Sequence, residues 1–322
     1  LIKDLIMKNL NSLLASKYNE DGYLLIKNFF TKNEIGSFLK ACDNDFYIKE
    51  INMSPEITSN KILKKIFYNK KFLSLIAEIS DNKASYFGCG SVVGHVENNR
   101  ITWRRLHTDT RGHDSNINGR TYYDPAKKNW PVFDVYIYLE DFQNNSGCLK
   151  VIKGSHRKFL PTIGNFIKVL FNISKDYKFD GKYSIKSVPI MNLFNMRNLK
   201  TVPGDLVIFN HAIHHSPNSL ILKLFPNLVL PVFIENFIEK YFKKIYKPIS
   251  KKRRIISIPF GINSIETKNF IRSRIQYCSK KFIEKIDFFI NKNFRKSLEE
   301  SAISCDLSLS TYLKEKKKGN IL

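Results

Sequence analysis

His107, Thr108 and Asp109 set an imidazole and a carboxylate two residues apart, and three more histidines, His211, His214 and His215, follow far downstream. Positions i and i+2 of an extended chain share a face, so His107 and Asp109 reach one ion from a strand end while Thr108 points away. Two imidazoles and one carboxylate cover one face of an octahedral Fe(II) and leave three positions open for cosubstrate and O2. An H-x-D pair alone arises often by chance, as a loop histidine beside a capping aspartate. Its context adds weight. Pro203-Gly204-Asp205 reads as a turn that launches Leu206 to Phe209, four apolar residues of a buried strand, and the three histidines come directly after. Only one of them needs to coordinate; His215 is the first choice, then His214, then His211. The plainer reading is polar residues at a strand end. A third element, Arg253-Arg254-Ile255-Ile256-Ser257-Ile258, opens a strand with two arginines. Arginine pairs bidentately with carboxylates and stays charged, which suits the far end of a dicarboxylate cosubstrate. The alternative is a solvated strand end within Lys251–Arg254.

The elements that must carry these residues follow from periodicity. Residues 1–45 read as helix, strand, helix: Tyr23 to Ile26 is a β-prone run behind the turn Asn19–Gly22, and Thr31 with Glu34 forms a capping box. Ile35, Phe38 and Leu39 stripe the second helix. Residues 60–80 predict one amphipathic helix with Ile62, Ile66, Phe67, Phe72 and Ile76 inward. From about residue 84 the period becomes that of strands: 85–95, 101–107, 132–139, 148–152, 206–209 and 254–260. In the third of these Phe133, Val135, Ile137 and Leu139 make an apolar face. Thr108 to Asn129 reads as loop, 159–200 as a long, weakly patterned insertion, and 264–315 as basic helices. Short strands with helices at both ends point to a mainly β fold, a jelly-roll or cupin-type barrel with a cavity between its sheets. The strands do not alternate with helices, which excludes a doubly wound sheet.

Composition narrows the classes further. A chain of 322 residues with 43% hydrophobic and 13% aromatic content can bury a large core. The five cysteines lack CxxC pairing, against a zinc ribbon or disulfide scaffold and in favour of a reducing, cytoplasmic setting. The formal charge of +24, from 53 basic and 29 acidic residues, has two readings. One is an anionic partner such as nucleic acid or a membrane surface. The other, preferred because the charge is spread along the chain, is simple solubilisation. The apolar run Leu220 to Ile234 holds Lys223, Pro226 and Pro231 and is too short and broken to span a bilayer. Packing or a lid over the site is the expected role, with peripheral membrane contact left open.

Four segments together resemble the phytanoyl-CoA dioxygenase family of Fe(II)/2-oxoglutarate-dependent oxygenases. Tyr18 to Phe30 is similar to the family's opening segment, and His107-Thr108-Asp109 to its H-x-D. Tyr138 to Asp141, Asn145 to Leu149 and Lys153 to Lys158, with its Gly154-Ser155-His156 turn, resemble its central stretch; Gly204-Asp205 through His215 resembles its last element. The distal histidine usually falls eleven residues after that glycine, the position of His215. The resemblance implies a double-stranded β-helix domain over 1–262, with N-terminal helices and insertions at about 159–200 and 219–250. A basic helical extension over 263–322 follows. It also implies Fe(II) held by His107, Asp109 and His215, with no catalytic residue beyond these ligands. 2-Oxoglutarate is expected to bind through Arg253, with Arg254 as the alternative and Lys223 a poorer one, and Tyr136 as an aromatic wall. The family's arginine lies about ten residues after the distal histidine; here an insertion intervenes. His156 is expected to be structural. With O2, such a site would hydroxylate an aliphatic carbon of a small-molecule substrate and release succinate and CO2. Asp109 argues against halogenation, since related halogenases carry a small residue there. Two other readings stand: a catalytically inactive ligand-binding barrel, and an oxygenase acting on nucleic acid or another anionic partner. A zinc hydrolase fits the ligand order less well.

Overall fold

The computed structural model of the chain describes residues 2–45, 57, 60–81, 83–86, 90–96, 106–109, 130–156, 176–179, 182–185, 195–249, 252–262, 264 and 266–267. Helix α1 (Ile2–Asp21) runs into strand β1 (Tyr23–Ile26), and α2 (Lys32–Asp45) follows. The capping box forms: Glu34 N–H donates to Thr31 Oγ1, and Thr31 N–H donates to Glu34 Oε2 at 2.8 Å. The single helix expected over 60–80 is two, a 3-10 helix (Leu63–Tyr68) and α3 (Lys70–Ile79). Asn69 makes the break. Its backbone is extended and its side-chain oxygen accepts from Phe72 N–H, which caps α3.

Two six-stranded antiparallel sheets follow. The first has the order β1, β10 (Leu206–Asn210), β5 (Val132–Tyr138), β12 (Lys252–Ile262), β2 (Ala84–Tyr86), and β3 (Ser91–Val96) also pairs with β12. The expected strand over 85–95 is therefore two, laid in line along the same edge of the eleven-residue β12. The second sheet has the order β7 (Asp176–Phe179), β8 (Lys182–Ile185), β4 (Leu106–His107), β11 (His215–Ser219), β6 (Cys148–Ile152), β9 (Met196–Leu199). Three of its strands come from the segment read as a weakly patterned insertion. The alternation in β5 holds as expected. Phe133, Val135 and Ile137 bury against the helical layer with Leu24, Phe72, Ile208 and Ile256. The opposite face puts Tyr138 with Phe209 and Ile255 against Leu149 and Val151 of the second sheet. The two sheets thus enclose a common core, and helices cover the outside of the first.

The excursion after β11 carries α4 (Val232–Tyr241) and its own small core of Leu220, Leu222, Leu230, Ile238 and Tyr246, so packing is the outcome for much of that run. A buried ion pair fastens it. Lys150 Nζ lies 2.8 Å from Glu235 Oε2, both side chains fully buried, and Lys150 also donates to Leu230 O. The expected loop over 110–129 and helices over 268–315 lie outside the described residues.

Candidate metal centre

The chain crosses from the first sheet to the second in four residues, His211 to Ile213 and His214, and that short path places the histidines. Asn210 at the end of β10 builds the turn. Its Oδ1 accepts from Ala212 N–H, its Nδ2 donates to Trp130 O, and its carbonyl accepts from Ile213 N–H. His211 N–H donates to Val132 O and His214 N–H to Ser155 Oγ. Asp109 enters here, donating its N–H to His211 O at 2.9 Å. β11 then starts at His215, directly opposite His107 of β4 in the antiparallel register.

The structure therefore brings two of the predicted residues into contact and a third to the adjoining strand. Asp109 Oδ2 lies 3.3 Å from His215 Nε2, with side chains 12% and 5% exposed. His215 Nδ1 lies 3.1 Å from Ile213 O, an oxygen that can only accept, so Nδ1 carries the proton. In the neutral ring Nε2 then turns its lone pair towards a carboxylate oxygen. Two such acceptors facing each other at this distance need a shared proton or a cation between them. Imidazole nitrogen and carboxylate oxygen form a donor set that suits iron. Phe209 packs on the His215 ring at 5.1 Å between centroids and walls the pair on one side. Among the residues with described side chains, no group of three or more His, Cys, Asp or Glu forms a complete cage. The His107 side chain is outside that set.

The other two histidines have different settings. His211 Nε2 lies 3.1 Å from Asp134 Oδ2, and both are buried. This second histidine–carboxylate pair escaped the sequence reading, because Asp134 sits within an apolar strand. His214 is buried beside the Gly154–His156 turn. His156 is in the structural position expected: its Nε2 lies 3.1 Å from Asn19 O, and its ring lies against Gly22.

The two arginines are separated by strand parity. Arg254 is on the helix-covered face, its Nε donating to Glu140 Oε1 at 2.6 Å and its Nη1 to Asp43 Oδ1 at 2.5 Å. Those acidic partners hold the guanidinium even more firmly protonated than usual, against the opposing effect of burial. Arg254 is thereby committed to the fold. Arg253 has the opposite parity, that of Ile255 and Ser257, and pairs with His95 in register. Ser257 stands across from Tyr136, whose ring packs edge-on to Phe209 at 4.8 Å, so Tyr136 lies one ring away from His215. Lys223 is exposed at the outer surface.

No family model matches the chain, and no curated protein matches it in sequence. Solved structures do match. One is HygX from Streptomyces hygroscopicus, with nickel, 2-oxoglutarate and hygromycin B bound. It is 14% identical, with 76% of this chain and 85% of that one covered and a TM-score of 0.48. Another is SnoK, a non-heme alpha-ketoglutarate-dependent carbocyclase from nogalamycin biosynthesis, 12% identical over 80% and 85% of the two chains at a TM-score of 0.45. The epimerase SnoN from the same biosynthesis was solved with Fe3+, alpha-ketoglutarate and nogalamycin RO. It aligns at a TM-score of 0.50 over 79% of this chain and 84% of its own, with 12% identity, and the two chains share a fold at that level.

Proposed function

We propose that the chain is an Fe(II)/2-oxoglutarate-dependent dioxygenase that hydroxylates an aliphatic carbon of a small organic substrate. This reading takes residues 1–262 as a double-stranded β-helix jelly roll with a basic extension beyond it, and the two antiparallel sheets around a common core support it. The observation that carries the reading is the Asp109–His215 contact at 3.3 Å, with His107 opposite His215 and His215 Nδ1 turned to the Ile213 carbonyl. His107, Asp109 and His215 are the metal ligands in this account. Held by these residues, a ferrous ion would supply 2-oxoglutarate decarboxylation coupled to O2 activation. The chain's own part is to hold and orient. The Ile213 carbonyl aims Nε2, the His211 carbonyl fixes the Asp109 backbone, and Phe209 and Tyr136 keep one side of the site apolar. Arg253, which pairs with His95 in the β12–β3 register, would hold the distal carboxylate of 2-oxoglutarate in this account. The fold shared with SnoN, solved with Fe3+ and alpha-ketoglutarate, supports the choice of ion and cosubstrate.

The test is an anaerobic titration with Fe(II) and 2-oxoglutarate. The expected result is a visible charge-transfer band in the native chain and none in Asp109→Ala or His215→Ala. Arg253→Ala should raise the 2-oxoglutarate requirement at least tenfold, the equivalent of about 1.4 kcal/mol for a lost charged contact. Arg254→Ala should leave it unchanged. No band in the native chain, with folding intact, would leave a binding barrel without redox chemistry. Succinate release across a panel of small substrates then identifies the reaction.

A further inference from the structure

The excursion between β11 and β12 turns a second, unrelated face to solvent. Leu224 is 85% exposed, Phe225 63% and Phe237 55%. Tyr241, Phe242 and Ile245 are exposed with them. These residues are brought together by the backbone. Leu222 pairs with Tyr246 and Lys223 N–H donates to Ile245 O, so the turn at 224–228 leaves beside the turn at 241–245. α4 buries Glu235 and Ile238 and presents Phe237 and Tyr241, one helical turn apart, on its other side. Phe237 packs on Tyr241 at 5.0 Å and on Phe242 at 5.7 Å, forming an aromatic cluster at the surface. Large apolar groups clustered in solvent mark an interaction surface.

The charge around this cluster selects its partner. From 223 to 247 the chain carries five lysines, Lys223, Lys240, Lys243, Lys244 and Lys247, against two glutamates. Of the two, Glu235 is fully buried and neutralised by Lys150, so Glu239 alone opposes the lysines from within this segment. Lysines edge the aromatic cluster itself: the Lys240 ammonium lies over the Tyr241 ring, 4.9 Å from its centroid. Aromatic and leucine side chains at turn tips, edged by lysine, match the layered chemistry of a lipid surface: acyl chains beneath, anionic headgroups above. We propose that this face docks the protein on the surface of an anionic bilayer. It is a peripheral contact; no helix among the described residues is long and apolar enough to cross a membrane.

Flotation of the full chain with phosphatidylcholine vesicles, with and without phosphatidylserine, tests this at physiological salt. The native chain should float with the anionic vesicles and stay behind with the neutral ones. Lys243→Gln/Lys244→Gln should weaken binding about 25-fold, from roughly fivefold per lysine near an anionic surface. Phe237→Ser/Phe242→Ser should abolish most of it, and Leu224→Ser, at an exposed turn tip, should weaken it by itself. Unchanged melting temperatures show that each variant is folded. If the native chain stays behind with anionic vesicles, or if the aromatic variant floats like the native chain, the proposal is overturned. A lipid-free dimer that Phe237→Ser/Phe242→Ser dissociates would overturn it too, since a second copy would then own the face.

Discussion

Replacing Glu235 by glutamine should cost more than almost any other single change outside the apolar core. The carboxylate is fully buried. Its Oε2 faces Lys150 Nζ at 2.8 Å, and its Oε1 accepts from Ser219 Oγ at 2.7 Å and Leu220 N–H at 2.9 Å. Glutamine keeps the shape and the Oε1 acceptor and removes the charge. Lys150, also fully buried, is then left as an ammonium beside an amide. Breaking one partner of a buried pair costs about 3–5 kcal/mol, most of it the stranded charge. At roughly 2 °C per kcal/mol for a chain of this size, the melting temperature should fall by about 6–10 °C. The control is Lys150→Met/Glu235→Gln, which removes both charges and should recover to within about 1–2 kcal/mol of the native chain. Denaturant melts of the native chain, Glu235→Gln, Lys150→Met and the double variant give the cycle. Hydrogen exchange locates the damage, with the Leu220 amide losing protection first. A Glu235→Gln variant within about 1 kcal/mol of native, or a double variant as damaged as it, would mean that no stranded Lys150 charge limits stability.

Gly204→Ala should lose at least about 2 kcal/mol in urea melts, because φ is +96° and a Cβ would sit 2.7 Å from the Phe30 carbonyl oxygen. Asp205→Asn should lose about 2–3 kcal/mol by the same assay, since the buried carboxylate accepts from Lys27 Nζ, Asn28 N–H and Val202 N–H, and an amide can serve only part of that set. Burial pushes the Cys42 thiol up from 9.0 to about 12 and raises the Tyr18 phenol as well, so the native state holds protons that the unfolded state gives up. The contribution of these two groups should be constant below about pH 9 and be lost as the pH climbs towards 12, with a shallower alkaline slope in Cys42→Ala. Native Cys42 should resist thiol reagents over the lower part of that range.

Where local physics decides the structure, the sequence was readable. Thr31 and Glu34 are three residues apart and cap their helix whatever packs on it. The alternation Phe133, Val135, Ile137 gave strand and inner face together, because a half-buried strand has only two faces to choose from. The 60–80 helix was read one element too few, since Asn69 is polar like its neighbours and only its capping bond shows the break. The strands at 176–185 and 196–199 were missed because they have little apolar pattern of their own. Pairing across the second sheet defines them. In the site, the H-x-D pair offered Asp109, and the family resemblance, through the distance from Gly204, singled out His215; the two are now seen in contact. The Asp134–His211 pair and the Lys150–Glu235 pair were out of reach. Each partner looks like an accidental charge in an apolar run until the fold brings its opposite alongside. Arg253 and Arg254 are adjacent and chemically identical, so the sequence could not show that Asp43 and Glu140 engage Arg254.

The main-chain acceptor at Ile213 has a consequence for how the centre tolerates mutation. An orienting group made from a side chain can be deleted by one base change, and the ring it holds is then free to swap tautomers. A peptide oxygen two residues before His215 is present with any amino acid at position 213. Apolar substitutions that keep this buried position packed should therefore leave the acceptor facing the ring. The vulnerable point moves upstream to Asn210, whose amide shapes the path of the peptide that carries the oxygen.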